Sequence, residues 1–432
     1  MEIKIPKLCL VVLIGASGSG KSTFAKKHFL PTEVVSSDFC RALVCDDENN
    51  QRATAAAFEV LNLITRKRLA VGRLTVIDAT NVQPEDRESL IALARQYYCN
   101  TAAVVFDLTG EILEKRSRER TDRDIPSHVI PKQLDQMQRS LGNLKNEGFR
   151  FIFQLDSEAA INAAVIKRLP LSCDKSYLTG PFDIIGDVHG CYDELEELLE
   201  KLGYEKTDHN KDESMKGPIF SHPQKRIVVF LGDIVDRGPR IVDCIKLVYN
   251  MVKFGSGLCV PGNHDVKFLR KLKGRNVKIA YGLEKTLAEI DALPGEIRET
   301  FKQEILDFFE GLTSHYVLDH RRLAVAHAGI KRGMQGRNAA GVREFCLYGE
   351  TTGETDEFGL PVRCNWAANY RGKSMVVYGH TPVPRTEWLN NTVNIDTGCV
   401  FGGKLTALRY PEREFVSVPA KKIHTEPLRP IG

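Results

Sequence analysis

Five runs of this 432-residue sequence set carboxylates, imidazoles and an amide where they could share two cations: Gly186-Asp187-Val188-His189-Gly190, Gly232-Asp233-Ile234-Val235-Asp236-Arg237-Gly238, Gly262-Asn263-His264-Asp265, Ala326-His327-Ala328-Gly329 and Gly379-His380-Thr381-Pro382. Most follow an apolar, strand-like stretch directly. Two cations about 3.5 Å apart need a shared carboxylate, with further O and N ligands on loops at the ends of rigid strands. Asp233 is the natural bridge. Asp187 and His189 then complete one site, and Asn263, His327 and His380 the other. Mixed imidazole and carboxylate ligands suit a borderline transition ion better than calcium, and manganese is the first choice. A lone His is more often a satisfied core or surface residue; five ordered motifs argue for phosphoester chemistry on two metals. Next to Asn263, His264 is placed to protonate a leaving oxygen, with Asp236 holding its tautomer and Arg237 taking the phosphate bidentately. The competing readings are a third ligand for His264 and a loop-stabilising ion pair for Asp236 and Arg237. Asp396, in Asn394-Ile395-Asp396-Thr397-Gly398, ends another strand near this edge and joins the metal set by position alone.

A second chemistry lies upstream. The continuous apolar run Leu8–Ile14 leads into Gly15-Ala16-Ser17-Gly18-Ser19-Gly20-Lys21-Ser22-Thr23 before a helical pattern, which is a P-loop in its required context. Its glycines let backbone N–H groups curl around phosphate, Lys21 reaches the β- and γ-phosphates, and Ser22 ligates magnesium. By contrast, Gly372-Lys373-Ser374 is a decoy: Ala367 stands where the upstream Gly belongs, and a strand follows. Glu33–Asp38 reads as a short strand delivering Asp38, with Arg41 three residues on. There Asp38 serves either as general base for an attacking hydroxyl or as the cap of the next helix. In Glu111–Arg123, a helix puts Arg116, Arg120 and Arg123 on one face, either a lid over triphosphate oxygens or a solvated charged surface.

The elements that must position these groups follow from periodicity. Strands at Leu74–Asn81 and Ala102–Phe106 alternate with helical stretches Gln51–Val71 and Pro84–Tyr97, giving a parallel α/β sheet. Phe151–Leu155 reads as its last strand and Ser157–Lys167 as a closing helix. These patterns set a first domain at residues 1–168, a linker at 169–178, a second domain at 179–418 and a C-terminal tail at 419–432. In the second domain, Met375–Tyr378, Val393–Ile395 and Leu405–Leu408 look like sheet, helices follow Asp187–His189 and Asp233–Arg237, and Glu205–Lys225 reads as a loop or hairpin outside the core. An α/β/β/α sandwich with metals at its loop edge fits. The formal charge of +4 neither demands nor excludes a polyanionic partner. Eleven cysteines, an odd number without a C-x-x-C pair, suit reduced thiols; no run of membrane-spanning length or leader is evident, so a cytosolic chain is expected.

With these motifs in this order, the sequence resembles the bacterial polynucleotide kinase-phosphatases of RNA repair, over both domains to about Val418. The resemblance implies a kinase that phosphorylates 5′-OH ends with ATP or another nucleoside triphosphate and magnesium. It also implies a calcineurin-like phosphatase that removes 3′-phosphate or 2′,3′-cyclic phosphate ends with two manganese ions. Lys21, Ser22, Asp38, Arg41, Arg116 and Arg120 match its kinase positions; Asp187, His189, Asp233, Arg237, Asn263, His264, His327, His380 and Asp396 match its phosphatase positions. RNA ends, a ligase domain and an RNA 2′-O-methyltransferase are the implied partners, although the sequence carries no Lys-x-Asp-Gly motif of a ligase. Two other classes compete: a fused small-molecule kinase and diadenosine-polyphosphatase-like enzyme, and an end-binding module whose sites only switch conformation.

Overall fold

A computed structural model describes residues 1–119 and 126–431. The chain forms two compact units, Met1–Leu171 with Arg337–Ala339, and Ser172–Gly336 with Ala340–Gly432.

The first unit is built on a parallel sheet of five strands in the order Val34–Ser36, Thr75–Asp78, Cys9–Ile14, Asn100–Phe106, Phe151–Leu155. Cys9–Ile14 is central and wholly buried because both of its faces are apolar. Successive residues point to opposite faces. Leu10, Val12 and Ile14 pack with Leu61, Ile77 and Leu90, while Cys9, Val11 and Leu13 pack with Phe24, Val104 and Phe106. At about 1.5–3 kcal/mol for each large aliphatic side chain buried, this strand anchors the loop that follows it.

The closing helix is shorter than expected. It spans Glu158–Ala163, capped by Ser157, whose Oγ accepts from Ala160 N at 3.2 Å. The chain then turns extended, and Val165–Leu169 pairs in parallel with Glu2–Pro6. Adjacent β-branched residues at Val165 and Ile166 favour that strand over a further helical turn. The expected linker is therefore partly structured: Leu169 lies in this strand. Beyond it, Cys173 is fully buried in the second unit, its carbonyl accepting from Val317 N at 2.8 Å.

Two five-stranded sheets form the second unit. One runs Gly257–Cys259, Ile227–Phe230, Phe182–Ile185, Lys404–Tyr410, Glu414–Pro419; the other runs His315–Leu318, Leu323–Ala326, Met375–Tyr378, Thr392–Asn394, Trp388–Leu389. In each sheet three strands are parallel, and their C-terminal ends carry the candidate ligands. Phe182, Ile184, Val229 and Leu231 from the first sheet pack with Leu323, Val325, Val377 and Val393 from the second. On the first sheet's outer face Ile185, Val228 and Phe230 meet helices Tyr192–Leu202 and Ile241–Lys253. Glu205–Asn210 and Gly217–Ser221 do form a hairpin. It is not outside the core, because Met215 and Phe220 are fully buried with the helix layer. The C-terminal segment is held by His424 N and Thr425 N, which donate to Val400 O at 3.0 and 3.1 Å. Among the described residues no helix is long and apolar enough to cross a membrane.

Candidate active sites

In the second unit six loops meet at one edge of the sandwich. Asp187 and His189 follow strand Phe182–Ile185, Asp233 follows Ile227–Phe230, and Asn263 opens helix Asn263–Leu272 after Gly257–Cys259. From the other sheet, His327 follows Leu323–Ala326, His380 follows Met375–Tyr378 and Asp396 follows Thr392–Asn394. His327 Nε2 lies 3.0 Å from Asn263 Oδ1, 2.9 Å from His380 Nδ1 and 3.6 Å from Asp233 Oδ2; His189 Nε2 lies 3.4 Å from the same Asp233 oxygen. The donor atoms of His189, Asp233 and His264 fall within 4.8 Å of one another, and so do those of Asp233, His327 and His380. Asp233 is the shared member. Asp187 is tied in by His380 N, which donates to its Oδ2 at 3.2 Å, and Asp396 accepts from Gly398 N at 3.1 Å.

The backbone is strained to bring them together. His189, Asp233, Asp236, Arg237 and His380 all adopt positive φ, between 45° and 74°. Each such residue costs on the order of 1–3 kcal/mol and persists only where its surroundings over-determine it. Asp265 supplies much of that restraint: its carboxylate accepts from Ile234 N at 3.0 Å and Gly262 N at 2.8 Å, clamping two ligand loops together. Gly232 must lack a Cβ, since one there would sit 2.2 Å from Gly262 N.

Burial dominates the electrostatics. It raises Asp187 well above the carboxylate range, helped by Asp396 and Asp233, and pushes Asp233 and Asp396 up to about 7. The same burial drives His189, His264 and His380 far below the usual imidazole range, and His327 to about 3. Neutral imidazoles present lone pairs, and buried carboxylates repel one another until a cation joins them. Among the described residues, His380 Nε2 is buried with no hydrogen-bond partner. This donor set, with Asp233 shared by both groups, has the imidazole, amide and carboxylate ligands that could hold divalent transition ions rather than calcium.

Around the ligands, His264 Nδ1 meets Asp236 Oδ2 at 2.6 Å, and Asp236 Oδ1 accepts from Thr286 Oγ1 at 2.6 Å. Arg237 directs Nη1 to His189 Nε2 at 2.7 Å and Nη2 to His264 Nε2 at 2.9 Å. These hydrogen bonds of Asp236 and Arg237 thus go to histidines and Thr286, not to each other. His264 is positioned both as a proton donor oriented by Asp236 and, with His189 and Asp233, as a ligand. The site opens into a pocket of about 610 Å³ whose wall also includes Tyr281, Arg363, Phe401 and the 425–431 segment. Sequence periodicity gave no sign of these, because Arg363 lies on a polar, exposed hairpin and the tail reaches the pocket only through tertiary packing.

The P-loop of the first unit joins strand Cys9–Ile14 to helix Lys21–His28, and Gly18 and Gly20 take the positive φ that its turn requires. Lys21 Nζ donates to Gly15 O at 2.8 Å, Ala16 O at 2.9 Å and Ser19 Oγ at 3.2 Å, curled over the loop's phosphate cradle. Burial raises the carboxyl of Asp78 at the end of strand Thr75–Asp78, an effect partly offset by the neighbouring Ser22 hydroxyl, and both residues line the same pocket. That pairing is a magnesium site's usual Ser and carboxylate, and Asp78 had no assigned role in the motif reading. Ser17, Gly18, Gly20, Lys21, Ser22, Thr23, Asp38, Arg41, Asp78 and Arg116 line one pocket of about 670 Å³. Ser36, not Asp38, caps helix Ser37–Cys45, its Oγ accepting from Phe39 N, so the capping role proposed for Asp38 is corrected. Arg41 is buried, ion-paired with Asp38 and bonded to Glu48 O at 2.8 Å. Arg116 donates to Gly18 O at 3.2 Å and pairs with Glu158 at 2.6 Å. Arg120 and Arg123 lie outside the described residues.

Residues 10–144 match a family described as an AAA domain, and residues 180–384 match the calcineurin-like phosphoesterases. The bis(5′-nucleosyl)-tetraphosphatase PrpE [asymmetrical] of Halalkalibacterium halodurans is 48% identical over 241 residues, 56% of this chain and 94% of that one. Its Bacillus cereus counterpart is 48% identical over 253 residues, 58% of this chain and 99% of that one. A solved gluconokinase from Sinorhizobium meliloti aligns at 18% identity with a TM-score of 0.26, over 37% of this chain and 94% of its own. The chain thus couples an N-terminal kinase-like P-loop domain to a metallophosphoesterase related to diadenosine tetraphosphatases. Domains of the two kinds bind nucleotide with magnesium and divalent metals, respectively.

Proposed function

Because the chain belongs, through its second unit, to the calcineurin-like phosphoesterase family, we propose that this unit hydrolyses dinucleoside polyphosphates, and that the first unit phosphorylates a small hydroxylic acceptor from a nucleoside triphosphate. The observation that carries the reading is 48% identity over nearly the whole length of an asymmetrical bis(5′-nucleosyl)-tetraphosphatase. A pocket of about 610 Å³, with Tyr281 and Phe401 beside arginines, supports it by offering aromatic surface for a base and cations for phosphates.

Asp187, His189, Asp233, Asn263, His327, His380 and Asp396 would hold the two cations, for which manganese is our choice. When bound, they supply Lewis-acid polarisation of a phosphoryl group and offset its charge. Arg237 takes an oxygen of the phosphate being cleaved. Burial, with the charge of Arg237 beside it, keeps His264 unprotonated; with Arg237 turned to the phosphate, His264 takes up a proton from solvent and holds one on each nitrogen, Asp236 accepting from Nδ1. Its Nε2 proton then passes to the departing oxygen. In the first unit, Lys21 and Arg116 bind the triphosphate, Ser22 and Asp78 would hold magnesium, and Asp38 takes the acceptor hydroxyl's proton while Arg41 fixes its position.

A second reading, RNA end healing, is favoured by one observation: the tetraphosphatases match little more than half of this chain and leave a kinase-like P-loop domain fused to it. Product analysis in ¹⁸O-labelled water tests the first reading. Diadenosine tetraphosphate incubated with the manganese-loaded chain is expected to give ATP and AMP with one ¹⁸O between them. Intact dinucleotide beside rapid loss of a 3′-phosphate or 2′,3′-cyclic phosphate from an oligonucleotide would reverse the choice.

A further inference from the structure

Two guanidiniums, Arg237 and Arg363, line the pocket with the ligand cluster. Arg237 contacts the imidazoles of His189 and His264, and the charge of Arg363 is felt at Asp233, His327 and His380. Arg363 ends strand Pro361–Arg363 of a hairpin with Thr351–Thr355 and donates Nη1 to Tyr348 O. Among the described residues no carboxylate pairs with it within 4.0 Å. A guanidinium has five N–H donors, and a half-buried one leaves most of them to be satisfied by something that enters the pocket.

Arg429 lines the same pocket from the C-terminal segment. That segment is fixed by Thr425 Oγ1 donating to Arg237 O at 3.2 Å, Lys285 Nζ to His424 O at 3.4 Å, and His424 N to Val400 O at 3.0 Å. Arg429 Nη1 reaches Asp356 at a long 3.4 Å, while the other Asp356 oxygen is taken by Phe358 N and Leu360 N at 3.0 and 2.8 Å. Burial first, and then the like charge of Arg429, lowers the basicity of Arg363. Glu284 and Glu426 also line the pocket, so its field is mixed; the guanidiniums lie beside the metal ligands.

We propose that Arg363 and Arg429 form a second anion subsite, which receives the phosphates next to the one being hydrolysed, and that residues 424–431 form the wall carrying Arg429 into it. The ligand class is a linear oligophosphate. This rests on the polyphosphate reading of the site, extending it from the cleaved phosphate to its neighbours. An oligophosphate whose cleaved phosphate is held by Arg237 would extend within the same pocket to Arg363 and Arg429.

The test uses the full manganese-loaded chain at fixed free manganese, with inorganic tripolyphosphate and orthophosphate as probes. Two readouts are taken: inhibition of nitrophenyl phosphate hydrolysis and the rise in Tm that each probe gives. Chelation by tripolyphosphate is common to all variants and cancels from the comparison. Wild type is expected to favour tripolyphosphate, and Arg363→Gln and Arg429→Gln each to lose about tenfold of that preference, with orthophosphate inhibition changed less than about threefold. Arg429→Lys should restore part of it. Equal losses for both probes, or an unchanged preference in both variants, would overturn the subsite. Turnover of diadenosine tetraphosphate is measured in parallel: its absence beside a lost oligophosphate preference removes the substrate reading and leaves the subsite standing.

Discussion

Asp233 is the residue on which the phosphoesterase account turns. It belongs to both donor groups and accepts from His264 N at 2.9 Å, which aims its carboxylate between them. Asp233→Ala is expected to lower metal-dependent kcat by about a thousandfold or more, with bound manganese falling in parallel. Near-wild-type turnover at saturating manganese would remove the bridge. His264 has a subtler signature. A ribose 3′-oxygen leaves poorly without a proton, whereas a nucleotide phosphate or nitrophenolate leaves readily, so His264→Ala should cost about 10²–10⁴-fold on the former and far less on the latter. Equal losses with falling metal content would make it a ligand. In the first unit, Asp38→Asn should keep nucleotide binding, seen as unchanged Tm stabilisation by ATP, while phosphoryl transfer falls by about 10²-fold or more. Retained transfer would leave Asp38 a structural role in its ion pair with Arg41.

Strands and their ends decide what was legible. The phosphoesterase residues stand on loops after apolar runs, and apolar runs are what a buried parallel strand must be, so motif and position could be read together. The P-loop was legible for the same reason. What escaped was made by distance in sequence: Val165–Leu169 is a strand because Glu2–Pro6 lies beside it, Asp78 matters because Ser22 reaches it, and Arg363 and Arg429 reach the pocket on a hairpin and a tail that carry no periodic signal. The edge strand His315–Leu318 carries a further consequence. His315 is fully buried, its Nε2 accepts from Gly336 N at 3.0 Å, and burial holds its pKa down to about 3, against an ordinary value of 6.5. Between those values the unfolded chain binds the extra proton, so stability present above pH 6.5 is lost as pH falls through that window. At pH 5 the loss is on the order of 2 kcal/mol. Urea midpoints of metal-free protein at pH 7.5 and 5 should therefore fall less for His315→Gln, whose side-chain oxygen still accepts from Gly336, than for wild type. Identical pH dependence would show that His315 is hydrated in the fold.

At the scale of the whole chain, each site is assembled from its own unit: the P-loop pocket from residues between Ser17 and Asn162, the phosphoesterase pocket from residues between Asp187 and Ile431. Asp187→Ala should accordingly leave phosphoryl transfer intact, and Asp38→Asn should leave phosphate release intact, each within about twofold. Loss of both activities from one substitution would mean that the units are coupled. Which phosphate bond the second unit cleaves is measured, without reference to absolute rates, by a competition in one vessel. Diadenosine tetraphosphate and a 3′-phosphorylated oligoribonucleotide are mixed at equal concentration with the manganese-loaded chain, and the ratio of their initial rates gives the ratio of kcat/KM. The account predicts that the dinucleotide is favoured by about tenfold or more; a ratio of the same size favouring the oligonucleotide would contradict it.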